Sequence, residues 1–384
     1  MTFQEELDIY FRARFSLIVV ITQEEERLLE ELRDLCQRSE RYCTAWDVAD
    51  GFQIIADPDP ETGRQGKPIR DPIAALDSVV ADLDNTFFVL KDFHLLWGNP
   101  QYKRKLRNVA QKLKRATKTI IVSTPSAKVP DELRDEAVIT TLALPTVPQL
   151  DEILTPLEKT KGLKNKLTKD GRDRFVQAGL GLTANQALRA FSRAIVGSED
   201  GLTDEKSSII AAEKKQAIRD SQALEFYNSP ETIDQVGGLD LLKQWLRMRE
   251  RAFGKEAKDY GLPSPKGIAL VGIPGSGKSL TAKMVASLWK LPLLRLDIGA
   301  LFGSLIGESE ERARQALKLA EAISPCVLWL DEIEKGLAHG GLDGGTSMRV
   351  FSSILTWMQE KQSPCFIVAT ANDVMALPPE VLRK

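Results

Sequence analysis

Apolar residues along this chain gather in short runs bounded by polar segments, and between the runs they recur at helical spacing. Leu17 to Ile21, Thr86 to Leu90 and Thr119 to Ser123 read as buried strands. A helix from about Glu24 to Arg38 follows the first, and a basic helix, Lys103 to Lys118, lies between the other two. Two strand-like pieces come around Val138 to Leu144. The pattern is then helical from Gln149 to Ile195, broken at Gly179 to Gly181. Turn-rich Gly197 to Gly201 precedes a helical stretch, Ser207 to Phe226, which Asn228-Ser229-Pro230 ends. Beyond it the rhythm repeats. Gly267 to Val271, Leu293 to Ile298, Cys326 to Leu330 and Cys365 to Ala369 are strand-like. Helices are predicted over Thr281 to Trp289, Glu308 to Ile323 and Met348 to Met358. Strand and helix alternate, which argues for α/β units built on a parallel, doubly wound sheet. The expected division is a first module over 1–197, a helical connector over 198–230 and a second α/β unit over 231–384.

Composition mainly excludes. The 384 residues are 43% hydrophobic and 28% charged, ordinary globular values. Lys+Arg 52 against Asp+Glu 54 leaves a net charge of -2, so no global field recruits nucleic acid or an anionic membrane. No apolar run approaches the ~18 residues of a spanning helix. The start, Met-Thr-Phe-Gln-Glu-Glu, is too acidic for a secretory signal, so a soluble protein that is not secreted is expected. Cys36, Cys43, Cys326 and Cys365 form no Cys-x-x-Cys pair, and the two histidines are His94 and His339. Reduced structural thiols, rather than zinc ligands, are the expectation. The basic helix carries eight Lys/Arg, no acid, and an apolar stripe of Leu106, Val109, Ala110 and Leu113. A buried stripe under a solvated basic face is the favoured reading, with docking to nucleic acid or anionic lipid as the alternative.

The chemistry lies in the second unit. Gly272-Ile273-Pro274-Gly275-Ser276-Gly277-Lys278-Ser279 satisfies G-x-x-x-x-G-K-[ST], with an apolar strand before it and a helix through Leu280 after it. Glycines let successive N–H groups turn toward phosphate oxygens, and the helix aims its positive end at the same anion. Lys278 would reach the β- and γ-phosphates of ATP, and the Ser279 hydroxyl would face Mg²⁺. Val327 to Leu330 ends in Asp331 and Glu332. Adjacent carboxylates suit a shared cation, with Asp331 toward Mg²⁺ and Glu332 polarising the attacking water. Asn372, after the strand Cys365 to Ala369, is placed to reach the γ-phosphate or that water.

With Val236-Gly237-Gly238-Leu239 ahead of the loop, Gly307-Glu308-Ser309-Glu310 before a helix, Ala369-Thr370-Ala371-Asn372 and Leu377-Pro378-Pro379, the second unit resembles AAA-type ATPases over about residues 228 to 384. The resemblance implies a P-loop NTPase three-layer α/β sandwich of AAA type and ATP hydrolysis. It also implies adenine contacts at Val236 and Gly237, a sensor role for Asn372, and Arg383 reaching a neighbouring subunit. Homo-oligomeric rings, often hexamers, acting on a protein client are the family's habit. Together with its front half, the chain resembles AAA proteins encoded in algal plastid genomes and in cyanobacteria. That implies a chloroplast stroma or a cyanobacterial cytoplasm.

Two departures matter. The stretch matching the pore loop is Ser304-Leu305-Ile306-Gly307, with Leu305 where the family usually has an aromatic ring to grip peptide and Phe302 out of register. The sequence stops at Lys384, before the family's second arginine and helical lid, so either a fragment or a truncated gene product is expected. These features keep open an ATP-dependent regulatory switch with little turnover, as the alternative to a remodelling motor. The front half reads as a degenerate AAA-like module with its own helical lid. Lys91-Asp92 stands at the end of the strand that would carry the carboxylates, and Thr22-Gln23-Glu24-Glu25-Glu26 replaces the phosphate loop. These acids would repel a triphosphate and are expected to satisfy the helix N-terminus themselves.

Overall fold

The structure, a computed structural model, describes residues 2–59, 61, 64–125, 128–159, 167–196, 201–203, 206–220, 223–227, 236–253, 257, 260–301, 308–334 and 346–373. By packing the chain forms two compact units, Met1–Ala143 and Leu144–Lys384.

The first unit runs α1 (Phe3–Arg12), β1 (Leu17–Ile21), α2 (Glu25–Ser39), β2 (Tyr42–Asp47), β3 (Gly51–Ala56), α3 (Pro72–Ala81), β4 (Thr86–Lys91), α4 (Pro100–Leu113), β5 (Lys118–Thr124) and β6 (Ala137–Thr141). Its sheet order is β3-β2-β4-β5-β1-β6, parallel except for the β2–β3 hairpin. Continuous apolar strands such as Leu-Ile-Val-Val-Ile serve both faces, because alternate side chains point opposite ways. Leu17 and Val19 join the core under α3 and α4, while Ile18 and Val20 join the one under α1 and α2. The hairpin, α1 and α3 carry no long periodic run and were not foreseen in the pattern above.

Helix α4 is shorter than expected. Asn99 caps it, Pro100 opens it, and it stops at Leu113. Lys118 instead begins β5, its ammonium buried and donating to the Val80 carbonyl at 2.9 Å. The apolar stripe is buried as expected, and the basic face is partly neutralised. Lys103 meets Glu132 at 2.6 Å, Lys105 meets Asp77, and Lys114 with Gln111 holds Glu136 below the usual carboxylate range. These pairs favour the solvated reading of the helix over a polyanion-docking one.

The second unit begins with four helices, α5 (Val147–Glu158), α6 (Lys169–Gly179), α7 (Ala184–Ile195) and α8 (Ser207–Asp220), around Leu150, Leu154, Phe175 and Phe191. It continues through β7 (Leu224–Tyr227), α9 (Asp240–Glu250), β8 (Gly267–Val271), α10 (Lys278–Trp289), β9 (Leu293–Leu296), α11 (Glu308–Ile323), β10 (Cys326–Leu330), α12 (Thr346–Glu360) and β11 (Cys365–Ala371). The expected helix Ser207 to Phe226 thus ends at Asp220. Leu224–Tyr227, where apolar and polar positions alternate, is a strand antiparallel to β9. The sheet order is β7-β9-β10-β11-β8. Both sheets are therefore mostly parallel with one antiparallel strand, rather than wholly parallel. Leu328 and Leu330 face α11 and α12, while Val327 and Trp329 face α9 and α10.

The helical group and this sheet pack closely. At Gly181, whose φ is +86°, a Cβ would lie 2.4 Å from Ile323 Cγ1 of α11. Lys214 of α8 is 5% exposed, and burial pushes its pKa down to about 8 against a small opposing pull from Cys326. Cys326 and Cys365, opposite one another on β10 and β11, are both buried with sulfurs 3.6 Å apart.

Two outcomes follow for stability. Gly181→Ala is expected to destabilise the chain by about 1–3 kcal/mol in urea titrations, from strain and overpacking together. The unfolded lysine titrates near ~10.4. Between about pH 8 and that value the unfolded state therefore binds more protons, and stability rises with pH. Lys214→Met is expected to be more stable than the native chain at pH 7 by about 1–3 kcal/mol. The gap should close as pH climbs past 10, and a gap that widens would contradict the assignment.

Candidate nucleotide site

Three segments meet at the carboxyl ends of β8, β10 and β11, where open α/β sheets bind ligands. The loop Gly272 to Gly277 leaves β8 and enters α10. Gly275 and Gly277 sit at φ +82° and +86° with open space around a hypothetical Cβ, so glycine is required there by backbone rotation, not by crowding. The Gly272 N–H donates to the Ala371 carbonyl at 3.2 Å, tying the loop to β11. Lys278 folds back over the loop, its Nζ donating to the carbonyls of Gly272 at 2.6 Å and Ile273 at 2.9 Å. Ile273, Pro274, Gly275, Ser276, Ser279 and Leu280 are exposed around it. An anion arriving at this loop meets N–H groups, a helix N-terminus and one ammonium.

Asp331 and Glu332 follow the buried strand β10. The Thr370 hydroxyl donates to Asp331 Oδ1 at 2.7 Å and accepts from the Glu332 N–H at 3.0 Å. Arg295 Nη2 donates to Asp331 Oδ2 at 3.1 Å. Burial works against the charge of Arg295, but the carboxylates of Asp331 and Glu225 outweigh it and raise the guanidinium above its ordinary value. Glu332 adopts a left-handed φ of +48°. Asn372 Nδ2 donates to Glu332 Oε1 at 3.3 Å and to Glu334 Oε1 at 2.8 Å, and its backbone N–H donates to Glu334 as well.

The structure thus brings Lys278, Asp331, Glu332 and Asn372 to one end of the sheet. Val236 is buried in the core against α10, and exposed Gly237 follows it. Arg383, Leu305, Phe302, His339 and Leu377 to Pro379 lie outside the described residues. Thr370, Arg295 and Glu334 were missed. A lone charge inside Leu293-Leu294-Arg295-Leu296 signals a partner nearby, because a strand in a covered sheet does not bury a cation unpaired. The Asp331 carboxylate and the Ser279 hydroxyl are hard oxygen donors of the kind Mg²⁺ takes alongside phosphate oxygens. Among the described residues no group of three or more His, Cys, Asp or Glu could hold a metal by itself.

The first sheet repeats this frame without the chemistry. The Thr22 N–H donates to the Thr124 carbonyl at 2.8 Å, as Gly272 does to Ala371. Leu90 pairs with Val122 as Leu330 does with Ala369, so Lys91 falls at the place of Asp331. Asp92, at the place of Glu332, also has a left-handed φ, +51°. Lys91 lies 3.4 Å from Glu25 and 3.7 Å from Asp47. Of the three acids expected to satisfy the start of α2, Glu25 and Glu26 stand in its first turn, while Glu24 makes no side-chain cap bond and meets Arg27 at 2.8 Å.

The strand–loop–helix, with the carboxylate-tipped strand β10 one place beyond β11 in the same sheet, defines the class, a P-loop nucleotide-binding protein. Residues 3–142 match the SpoVK-like AAA ATPase N-terminal domain, 148–221 the second domain of the same proteins, and 268–384 the ATPase family associated with various cellular activities (AAA). The chain is 40% identical over 389 residues to the AAA domain-containing protein ycf46 of Guillardia theta, covering all of this chain and 75% of that protein. The same-named protein of Pyropia yezoensis is 38% identical over 391 residues, with 77% of it covered. A putative ribosome biogenesis ATPase of Dictyostelium discoideum is 38% identical over 151 residues, 37% of this chain and 17% of that protein. The chain belongs to the AAA ATPase family, with the domain order of its SpoVK-like members.

Thr370→Val keeps the shape of β11 but removes both bonds that orient Asp331 and Glu332. Such outer partners of a metal ligand typically matter by about 10–100-fold. Mg²⁺-dependent nucleotide affinity, read by calorimetric titration, is expected to fall by roughly tenfold or more, while metal-free binding holds. Loss of both forms alike would contradict that role.

Proposed function

We propose that the second unit binds Mg²⁺–ATP and hydrolyses it to ADP and phosphate, driving conformational change in a protein partner or in a ring of its own copies. The observation that carries this is the meeting of Asn372 with Glu332, beside Asp331, at the sheet end to which the loop is tied. Gly272 to Leu280 hold the phosphates, and Lys278 exchanges its loop carbonyls for phosphate oxygens. Ser279 and Asp331 would hold Mg²⁺, which when bound would neutralise charge on the phosphates. Glu332 takes a proton from the attacking water, and Asn372 keeps that carboxylate aimed. Val236 and Gly237 border the adenine, and Arg383 serves the site of a neighbouring copy.

The first module, in this reading, is a lapsed copy of the second. Its internal pairs Lys91–Glu25 and Lys91–Asp47 replace a nucleotide's charges, and the sheet registers support common descent. The relatives in algae fit a protein of plastids or cyanobacteria. Among the described residues no helix is long and apolar enough to cross a membrane. A second reading, a nucleotide switch with little turnover, draws on the Arg295–Asp331 pair, a cation already on the carboxylate that hydrolysis needs.

Steady-state turnover separates the readings. Glu332→Gln is expected to lower it by about 10²–10⁴-fold while ATP still binds. Lys278→Ala is expected to abolish ATP binding in the whole chain. Binding that survives Lys278→Ala would place nucleotide elsewhere, and absence of turnover in the native chain at any concentration would select the switch.

A further inference from the structure

Arg295 interrupts an otherwise apolar strand. On β9 it stands opposite Glu225 of β7 on one side and Trp329 of β10 on the other. Its guanidinium is shared: Nη2 is 3.1 Å from Asp331 Oδ2, Nη1 is 3.4 Å from Glu225 Oε2, and the group lies 5.2 Å from the Trp329 ring centroid. Arginine binds a carboxylate best through two parallel bonds. Here the fork is split between two acids, and its Nε is buried with no hydrogen-bond partner. Neither acid has the full grip, so the fork has somewhere to go when one acid is taken. The side chains differ in exposure, 19% for Asp331 and 49% for Glu225. Asp331 Oδ1 accepts from Thr370 and Oδ2 from Arg295, so the carboxylate's two oxygens already accept from protein donors.

A metal ion reaching Asp331 therefore competes with a resident positive charge. Two cations on one carboxylate repel, and the weaker holder moves. Glu225, one strand away and already in contact, is the acceptor waiting for it. We propose that Arg295 is a stand-in cation for the metal at Asp331, released toward Glu225 when Mg²⁺–nucleotide binds. The proposal rests on reading the loop as a nucleotide site and adds a coupling to it. Strand β7 follows closely on α8, the last helix of the group over 147–220, so the hold of Arg295 on β7 tightens as its hold on Asp331 loosens. Occupancy of the metal site is then felt at the segment that joins those helices to the sheet.

Titration of the full chain with ADP plus Mg²⁺ and with ADP plus EDTA tests this, the readout being the ratio of the two affinities. Arg295→Gln removes the competitor and is expected to raise the ratio roughly fivefold. Glu225→Gln, at the exposed edge strand, removes the alternative acceptor and is expected to lower it by a similar factor. The double variant is expected to match Arg295→Gln, because Glu225 acts only through Arg295. A ratio unmoved by both single variants, a shift of both in the same direction, or a fall with Arg295→Gln would overturn the proposal while leaving the nucleotide site intact. A native chain that binds neither form would overturn the site itself, and this coupling with it.

Discussion

Two like charges in succession at the end of a buried strand are the constraint around which the second unit is arranged. Asp331 and Glu332 repel one another, and β10 beneath them is wholly apolar, so each must be held from a neighbouring strand. The parallel register of β9, β10 and β11 delivers those holders. Thr370 bonds to both acids at once, Arg295 takes the free oxygen of Asp331, and Asn372 takes Glu332. The left-handed backbone at Glu332 turns the chain there, at a strain of about 1 kcal/mol or more. Such strain persists where the surroundings fix it, and here Thr370 on the Glu332 N–H and Asn372 on its carboxylate do.

The first sheet meets the same geometric frame with opposite chemistry. Where the second sheet sets two carboxylates beside a glycine-rich loop, the first places Lys91 among Glu25 and Asp47. The lysine is met by carboxylates of the protein itself. The backbone keeps the left-handed turn at Asp92 and the Thr22–Thr124 bond. A shared frame with different tips is what packing constraints produce, because the strand order is fixed by two apolar faces while the charged tips are free to change.

Much of this was legible in the residues. The loop from Gly272 to Ser279 and the acids after β10 announce themselves through local patterns, since each sits where an apolar run stops. The strands β8, β10 and β11 were visible for the same reason. Less visible were elements whose identity depends on a distant partner. Strand β7 is only four residues, Leu224–Tyr227, and becomes a strand through pairing with β9. The β2–β3 hairpin is likewise fixed by its pairing across the sheet, not by a long run. Arg295 could be noticed as an oddity, but that it reaches Asp331 depends on β9 lying beside β10, which no local pattern states. Glu24 shows the converse. An acid at the start of a helix suggests a cap, yet Arg27, one turn on, claims its carboxylate.

One working and one lapsed site in a single chain is the central claim, and the number of nucleotides bound per chain tests it most directly. Equilibrium dialysis of the full chain carrying Glu332→Gln, which holds ATP without turning it over, against ATP with Mg²⁺ at saturating concentration is predicted to give one ATP per chain. Two would show that the first module still binds nucleotide despite Lys91 and Glu25, and none would show that the loop after β8 does not hold a phosphate.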